Sequence, residues 1–179
     1  MEIEISSLSG LLLLKNNVLQ DNRGCFYKSF NREFFVKNGL DSDFKESYYS
    51  VSHKNVIRGM HFQTPPFEHT KLVYVSQGSI VDVVLDLRKS SPTYGQYISL
   101  ELDANKGNAL YIPKGMAHGF CSIENNTIVN YLQTSVYSKD NDFGILYNSF
   151  NFDWPIIRPI ISERDLSFPS FQQFKTPFE

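Results

Sequence analysis

The side chains best suited to chemistry in this chain lie inside stretches that read as β-strands. They are imidazoles, a lysine, a tyrosine and carboxylates, the groups that enzymes use to move protons and to stabilise charge. Taken singly, each has a structural explanation: Lys71 would protect an edge strand, and Asp165 would form a turn. The segments that carry these side chains are 58–63, Lys71, 113–120, 130–134 and 162–165.

The elements that would position these groups are short strands separated by turn residues. Gln77-Gly78 lies between two apolar runs and predicts a tight hairpin. A tight turn of this kind would pair the two flanking strands directly. The segments that read as strands are 71–76, 79–87, 98–102, 109–112, 119–123 and 128–134.

Little helix is expected. Asn31 is suited to cap a short helix over 32–36, which Asn38-Gly39 would end. The chain after Trp154 is interrupted by prolines and predicts an arm that wraps the rest. Many short strands with Gly and Pro between them predict an all-β jelly-roll β-sandwich, a single domain over 1–179. Inward-facing residues of a jelly roll converge on one cavity, where ligands bind.

The composition is that of an ordinary globular protein. Hydrophobic residues make up 41% and charged residues 20% of 179 residues, whereas a disordered chain would have fewer apolar groups and more net charge. The net charge of -2 gives no long-range attraction for a polyanion. We therefore expect no nucleic-acid partner and no acidic membrane surface.

The cellular location is expected to be cytoplasmic. Cys25 and Cys121 lack CxxC spacing and read as free thiols in a reducing compartment. The apolar run 11–14 is too short to span a bilayer. Glu2 and Glu4 precede this run, where a signal peptide would carry basic residues.

Taken in order, the reactive segments and their flanks resemble the dTDP-4-dehydrorhamnose 3,5-epimerases, which are cupin-type jelly rolls. The resemblance covers 18–165 and rests on many pieces in sequence, whereas a lone Arg-Gly-x-His would be weak. The matching pieces are DNRGCF at 21–26, VIRGMHFQ at 56–63, KLV at 71–73, DLRKSSPTYG at 86–95, IPKGMAHGF at 112–120, Tyr131, Tyr137, GILYN at 144–148, Trp154-Pro155 and SERD at 162–165.

The resemblance implies inversion of the carbons that flank the ketone of a nucleotide-linked 4-keto sugar. A proton beside a carbonyl can be removed because the carbanion is an enolate, and inversion needs reprotonation from the opposite face. By resemblance His61 would be the base, oriented by Asp165. Tyr131 would be the acid, because a phenol stays protonated at neutral pH, and Lys71 would stabilise the enolate oxygen.

The same resemblance implies a set of substrate-binding residues and a homodimer. Arg58 and His118 would line the sugar and phosphate region, and Arg23 would bind diphosphate in the site of a second subunit. No metal or organic cofactor is implied. The remaining expected substrate-binding residues are Lys28, Glu46, Tyr48, Tyr137, Asp142 and Arg164.

Two departures from the family fall in its base-recognition elements. Lys28 stands where the family usually carries a Glu that accepts the ring N–H of thymine, whereas an ammonium can only donate. The stretch 46–50 reads ESYYS where the family usually reads QDNHS. Guanine would suit Lys28, which could meet its acceptor oxygen, and Glu46, which could meet its N–H donors. We therefore expect a GDP-linked 4-keto sugar, as in the epimerases of 4-keto-heptoses for surface polysaccharides. The alternative is a surface pair between Lys28 and Glu46 with thymine still bound.

Other functions are also compatible with the residues. His61, Glu68 and His118 would be the ligands of a metal-dependent cupin, but Gln63 replaces one expected imidazole. A binding module that holds a sugar nucleotide without turning it over would not need a matched acid and base. A ketoisomerase on the same scaffold is a third alternative, which Tyr131 disfavours. The residues leave open whether one or both carbons are inverted.

Overall fold

The computed structural model describes all residues from Met1 to Glu179 and contains thirteen strands. Neighbouring strands are antiparallel in every sheet. The strands are β1 (Glu2–Ile5), β2 (Leu12–Lys15), β3 (Leu19–Asp21), β4 (Gly24–Phe26), β5 (Glu46–Ser52), β6 (Ile57–Gln63), β7 (Lys71–Gln77), β8 (Ser79–Asp86), β9 (Tyr97–Asp103), β10 (Asn108–Ile112), β11 (Met116–Ser122), β12 (Thr127–Gln133) and β13 (Asp142–Gly144).

Two large sheets pack face to face. A six-stranded sheet runs in the order β1-β2-β10-β7-β12-β5, and a five-stranded sheet runs β13-β6-β11-β8-β9. Val73 and Val129 of the first sheet and Val84 and Phe120 of the second share one buried apolar cluster. Burial of such side chains is the main force that holds two sheets together. The predicted all-β jelly roll is confirmed, and β3 and β4 form a separate hairpin.

The predicted hairpin at Gln77-Gly78 is wrong. β7 belongs to the six-stranded sheet and β8 to the five-stranded sheet, so the two strands do not pair. Gly78 has a φ of +76°, and a Cβ built there would lie 2.6 Å from Thr127 Oγ1. The tight turn is therefore a corner between the sheets, and a left-handed glycine lets the chain turn against Thr127.

The predicted helix is confirmed as α1 (Arg32–Lys37). The Asn31 side chain accepts a hydrogen bond from Phe34 N at 3.0 Å, as an N-cap does. Gly39, with a φ of +69°, follows the last turn. Phe35 is fully buried and packs on the outside of the six-stranded sheet. It belongs to one apolar cluster with Leu72 and Tyr111.

The C-terminal arm packs against the outer face of the five-stranded sheet. Phe174 and Phe178 contact the Phe62 ring edge to face, and Thr176 Oγ1 donates to Leu87 O at 2.5 Å. A second short helix, α2 (Glu163–Leu166), lies in this arm. One 3-10 turn covers Lys139–Asn141. None of the helices has the length and apolar composition needed to cross a membrane.

Candidate active site

A cavity of about 310 Å³ opens between the two large sheets. Residues of both sheets line it, together with residues near β13 and the arm. It brings together most of the side chains expected from the sequence. The six-stranded sheet contributes Tyr48, Ser50, Lys71, Tyr131 and Gln133; the five-stranded sheet contributes Arg58, His61, Phe62, Gln63, His118, Phe120 and Asp142; His69, Tyr137 and Arg164 complete the lining.

An irregularity in β6 brings Arg58 and His61 to the same cavity. His61 follows Arg58 by three positions, an odd offset, so a regular strand would point the two side chains to opposite faces. Opposite them in β11, His118 pairs with His61 and Phe120 pairs with Arg58, so β6 holds one extra residue between the two pairs. Such a β-bulge re-aims a side chain. Gly59, within the bulge, has a φ of +140°, which other residues rarely adopt.

His61 and Asp165 form a hydrogen-bonded pair. His61 Nε2 lies 2.9 Å from Asp165 Oδ1, and Asp165 Oδ2 accepts from Gly59 N at 3.1 Å. Ser162 caps α2 by accepting from Asp165 N, which fixes the carboxylate behind the imidazole. Burial alone would raise the pKa of Asp165, but these hydrogen bonds and the imidazole hold it below its usual value. The carboxylate is therefore ionised and can stabilise a protonated His61.

Lys71 places a positive charge in the dry interior of the cavity. Its side chain is buried, and Nζ donates to the carbonyl oxygen of His61 at 3.2 Å. Burial lowers the pKa of Lys71 to about 8, against the opposing attraction of Asp142 and Asp82. The ammonium is thus still mostly charged at neutral pH, where a low local dielectric strengthens its field.

Tyr131 approaches the cavity from the sheet opposite His61. Its side chain is buried, and its hydroxyl lies 3.3 Å from Ser50 Oγ. Burial raises the pKa of Tyr131 above that of an ordinary phenol. The hydroxyl is therefore a neutral proton donor near pH 7.

His118 forms a second imidazole–carboxylate pair, with Nε2 at 2.7 Å from Asp82 Oδ2. Asp82 is fully buried, and burial raises its pKa despite the opposing effect of His118. This hydrogen bond fixes the orientation of the His118 ring, which lines the cavity, pairs with His61 in the ladder and meets the Tyr131 ring edge to face.

The mouth of the cavity carries three expected binding residues that already have partners. Arg58 Nε donates to Ser52 Oγ at 3.1 Å. An Arg164 terminal nitrogen lies 2.6 Å from Asp142 Oδ2, and the guanidinium stacks 5.0 Å over the Phe168 ring. These contacts hold the cationic groups in defined positions at the mouth. Tyr137, also at the cavity, is exposed.

Three expected binding residues lie outside the cavity of their own chain. Arg23 is in the β3–β4 hairpin, where it pairs with Asp21 at 2.6 Å and remains 86% exposed. Lys28 lies beside a separate cavity near Leu19. Glu46 begins β5 and does not line the cavity. No ion pair joins Lys28 to Glu46 within the chain, so the alternative of a surface pair is not formed here.

The structure does not assemble the metal site considered from the sequence. It contains no group of three or more His, Cys, Asp or Glu side chains placed to hold a metal ion. The side chain of Gln63 makes hydrogen bonds to the backbone: its amide nitrogen donates to Phe67 O, and its oxygen accepts from Ser138 N. His61 and His118 each face a carboxylate of their own instead.

Sequence reasoning missed Ser50, Asp82 and Gln133. Asp82 could have been found from the sequence, because it is an acidic residue within the largely apolar run SIVDVVLD of β8. Ser50 and Gln133 lie in the segments 46–50 and 130–134 that the sequence singled out, but their individual roles depend on the pairing of β5 with β12, a long-range contact. Cross-strand neighbours of this kind require the register of the sheet.

Comparison with known proteins agrees with this geometry. A family model described as dTDP-4-dehydrorhamnose 3,5-epimerase matches residues 6–173. The dTDP-4-dehydrorhamnose 3,5-epimerase of Shigella flexneri is 36% identical over 174 residues, covering 96% of both chains. The crystal structure of the enzyme from Bacillus anthracis, with TDP and PPi bound, superposes with a TM-score of 0.91 at 38% identity, covering 94% of this chain and 98% of that one. A Legionella pneumophila epimerase in complex with dTDP-4-keto-L-rhamnose gives a TM-score of 0.93 at 30% identity, covering 97% and 94%. This chain therefore belongs to the dTDP-4-dehydrorhamnose 3,5-epimerase family and is a sugar-nucleotide epimerase.

Proposed function

We propose that this enzyme inverts the carbons that flank the ketone of a nucleoside-diphosphate-linked 4-keto sugar, through an enolate. The observation that carries the proposal is the placement of His61 and Tyr131 on opposite sheets of one cavity. Inversion requires removal of a proton from one face of the sugar and its return from the other. A base and an acid on opposite walls supply this arrangement.

Each step uses a side chain that lines the cavity or lies directly behind its wall. His61 takes the proton from the carbon beside the ketone, and the electron pair of the C–H bond moves to the ketone oxygen. Asp165 stabilises the imidazolium that results, at 2.9 Å. The Lys71 ammonium stabilises the enolate oxygen, and Tyr131 returns a proton to the carbon from the other side. After product release the Tyr131 phenolate takes a proton from solvent and the His61 imidazolium releases one to solvent, which restores the starting state.

Proton NMR in deuterated water tests this assignment. His61→Asn is expected to abolish deuterium exchange at both carbons, because His61 is the base in the proposed mechanism. Tyr131→Phe should leave exchange largely intact but impair inversion, because only the returning proton is lost. His53→Asn is the matched control, since His53 is exposed and lies outside the cavity. Near-native turnover by His61→Asn would show that the base is misassigned.

The same experiment counts the inverted centres. Deuterium at both flanking carbons supports a 3,5-epimerase, and deuterium at one carbon supports a single inversion. Either result keeps the enolate mechanism, whereas no exchange with tight nucleotide binding would favour a non-catalytic binding module.

We infer a homodimer in which the β3–β4 hairpin of one chain completes the site of the other. Arg23 lies on this hairpin, away from its own cavity, and its guanidinium suits a diphosphate. The hairpin exposes Leu19 by 64% and Phe26 by 58%, apolar surface that a partner would cover. Arg58 and His118 would hold the sugar and phosphates from within the cavity, together with Tyr48, Tyr137, Asp142 and Arg164 at its wall and mouth.

Complementation between inactive chains tests the shared site. Dimers that combine an Arg23→Ala chain with a His61→Asn chain contain one site with both native residues. Mixing the two chains one to one should recover about a quarter of the wild-type activity, because half of the dimers are mixed and each has one complete site. No recovery, with mixed dimers shown to form, would place Arg23 in the site of its own chain.

We propose guanine as the base of the nucleotide, on the basis of Lys28 and Glu46. In the proposed dimer Lys28 would come from the same partner segment as Arg23, while Glu46 lies on β5 at the edge of the cavity's own sheet. Thymine is the second candidate, favoured by relatives whose structures carry TDP or a dTDP-linked sugar. Calorimetric binding of guanosine and deoxythymidine diphosphates decides between them, and a clear preference for the thymidine compound overturns guanine. Lys28→Glu should shift the preference toward thymine, because a carboxylate accepts the thymine ring N–H.

The remaining features of the proposal concern its setting. We propose a single catalytic domain over 1–179 that acts on a 4-keto-6-deoxy sugar or a 4-keto-heptose for surface polysaccharides. Both cysteines are free thiols, and Cys25 is exposed. Exposed free thiols suit the reducing cytoplasm, which is also where we place the enzyme.

A further inference from the structure

Tyr48 lies directly opposite Tyr131 in the ladder between β5 and β12, and both line the cavity. We propose that Tyr48 is a positioning residue that holds the Tyr131 phenol in place for delivery of the proton. This inference rests on the proposed function, in which Tyr131 is the acid. It gives Tyr48 a role in the reaction that contact with the nucleotide alone would not require.

The first argument is the way in which the Tyr131 ring is held. Tyr48 covers one face of the ring, with centroids 4.8 Å apart and planes inclined by only 18°. His118 meets the ring edge to face at 6.3 Å, and Ser50 Oγ lies 3.3 Å from the hydroxyl. The face and the oxygen of the phenol are thus both held by β5. Since an aromatic ring turns about two torsions, contacts at its face and its tip fix both.

The second argument is that Tyr48 is itself anchored. The side-chain amide of Gln133 donates to the hydroxyl of Tyr48. Gln133 is buried and lies two residues after Tyr131 on β12, so both point to the same face of the sheet. Tyr48 therefore bridges two positions of the strand that carries the acid, and its ring cannot swing away without breaking this hydrogen bond.

The third argument is that the effect should be confined to one step of the reaction. His61 is on the opposite sheet, and its partners are Asp165 and Phe168, without Tyr48 among them. Removing the Tyr48 ring would leave proton abstraction in place while it frees the Tyr131 phenol to turn. A residue that only binds substrate would instead affect both steps equally, through KM.

Proton NMR in deuterated water measures the two steps separately, as the ratio of deuterium exchange to inverted product. Tyr48→Ala is expected to raise this ratio at least tenfold, in addition to any rise in KM from the loss of a substrate contact. Tyr48→Phe keeps the stacked ring and loses only the hydrogen bond from Gln133, so its ratio should lie well below that of Tyr48→Ala. Val51→Ala is the matched control, because Val51 lies on the same strand outside the stretch 46–50, is 50% exposed and lies outside the cavity.

Three outcomes would overturn the inference. A raised KM in Tyr48→Ala with an unchanged ratio would make Tyr48 a substrate contact. A Tyr48→Phe variant as impaired as Tyr48→Ala would show that the hydroxyl, and not the stacked ring, matters. A ratio in Val51→Ala that rises as much as in Tyr48→Ala would indicate a general loosening of β5.

A measurement without substrate separates this inference from the proposed function. Burial raises the pKa of Tyr131, and part of its cover is the Tyr48 ring. Carbon-13 NMR of the tyrosine ζ-carbons should therefore show Tyr131 titrating at lower pH in Tyr48→Ala than in wild type, with Tyr48→Phe close to wild type. An unchanged titration would refute the positioning role. If wild type shows no deuterium exchange with any 4-keto sugar, the proposed function fails, and this titration still decides whether Tyr48 holds Tyr131.

Discussion

The contact between Asp165 and His61 makes a quantitative prediction about catalysis. Replacing Asp165 by Asn keeps the size of the side chain and removes its charge. In the native site the carboxylate is 6% exposed and lies 2.9 Å from His61 Nε2. A charge-assisted hydrogen bond of this kind contributes about 1.5–3 kcal/mol. If the bond strengthens as His61 takes up a proton, its loss lowers kcat by roughly 10- to 150-fold.

The hydrogen bond made by the second oxygen of Asp165 supports a loss of kcat of at least tenfold. Oδ2 accepts from Gly59 N at 3.1 Å, so an asparagine has one oxygen for two tasks. If its oxygen serves Gly59, its NH2 group faces His61 and favours the tautomer that cannot act as the base from the cavity side. If its oxygen serves His61, the Gly59 N–H loses its acceptor. Neither arrangement restores the native pair, so we expect at least a tenfold loss.

The assay is steady-state kcat together with the rate of deuterium exchange at the carbons beside the ketone. Both should fall by the same factor in Asp165→Asn, because the base step precedes every later one. Glu163→Gln is the matched control, since it removes a carboxylate from the same helix at an exposed position. A kcat within threefold of wild type for Asp165→Asn would refute this account of the pair.

Stability provides an independent check on the same variant. The folded-state pKa of Asp165 is lowered, so its contribution to stability is present above the unfolded value of about 3.9 and is lost as pH falls through the folded value. The difference in unfolding free energy between wild type and Asp165→Asn should therefore shrink as pH is lowered below about 4. A difference that grows with acid would contradict the direction of the pKa shift.

Further predictions concern other buried groups. Because burial lowers the pKa of Lys71 to about 8, kcat should fall as pH rises through this value, and a pH profile that stays flat to pH 9.5 would exclude a charged Lys71 from the reaction. Unfolded lysine keeps its proton to about pH 10.4, so Lys71→Met should stabilise the fold at pH 7 while it lowers activity, as chemical denaturation would show. Gly119→Ala should cost about 1–3 kcal/mol, because its Cβ would lie 2.9 Å from the backbone oxygen of Arg58 and 2.7 Å from Met60 Sδ; an unchanged thermal midpoint would mean that the neighbouring backbone of β6 shifts freely. Asp86→Ala should cost about 3–5 kcal/mol with normal activity per folded molecule, because the buried carboxylate accepts from a guanidinium and two hydroxyls; a loss below 1 kcal/mol in urea unfolding would contradict this.

Local pattern predicted only part of the fold. The six segments read as strands correspond to β7–β12 of the thirteen strands, and the Asn31 cap located α1 to within one residue. The same pattern failed at Gln77-Gly78, where two strands of good alternation meet at a turn glycine. Alternation shows that a strand has a buried face but does not show which sheet it joins. That choice depends on the pairing of β7 with β10 and β12, far away in sequence.

The candidate site divides in the same way. The types of His61, Lys71, Tyr131 and Asp165 were visible in the sequence, and the structure places them at one cavity or directly behind it. Their supporting contacts were not visible, because these depend on register. Ser50 reaches the Tyr131 hydroxyl only because β5 pairs with β12 in one alignment, and a slip of one residue would point Ser50 away.

The charged side chains buried at the site need partners from elements that are distant in sequence. Asp82, Asp165 and Lys71 are all removed from water, and burial opposes the charged form of each. Isolated charges of this kind would destabilise the fold, so each is held by a partner from another element: His118 for Asp82, the bulged β6 for Asp165, and the His61 carbonyl for Lys71. A hydrophobic side chain at each position would be less costly to bury. Burial disfavours the charged forms of Asp82 and Lys71, and both lie at the cavity or directly behind its wall, beside the His61–Asp165 pair; such a concentration of perturbed titratable groups is typical of an active site.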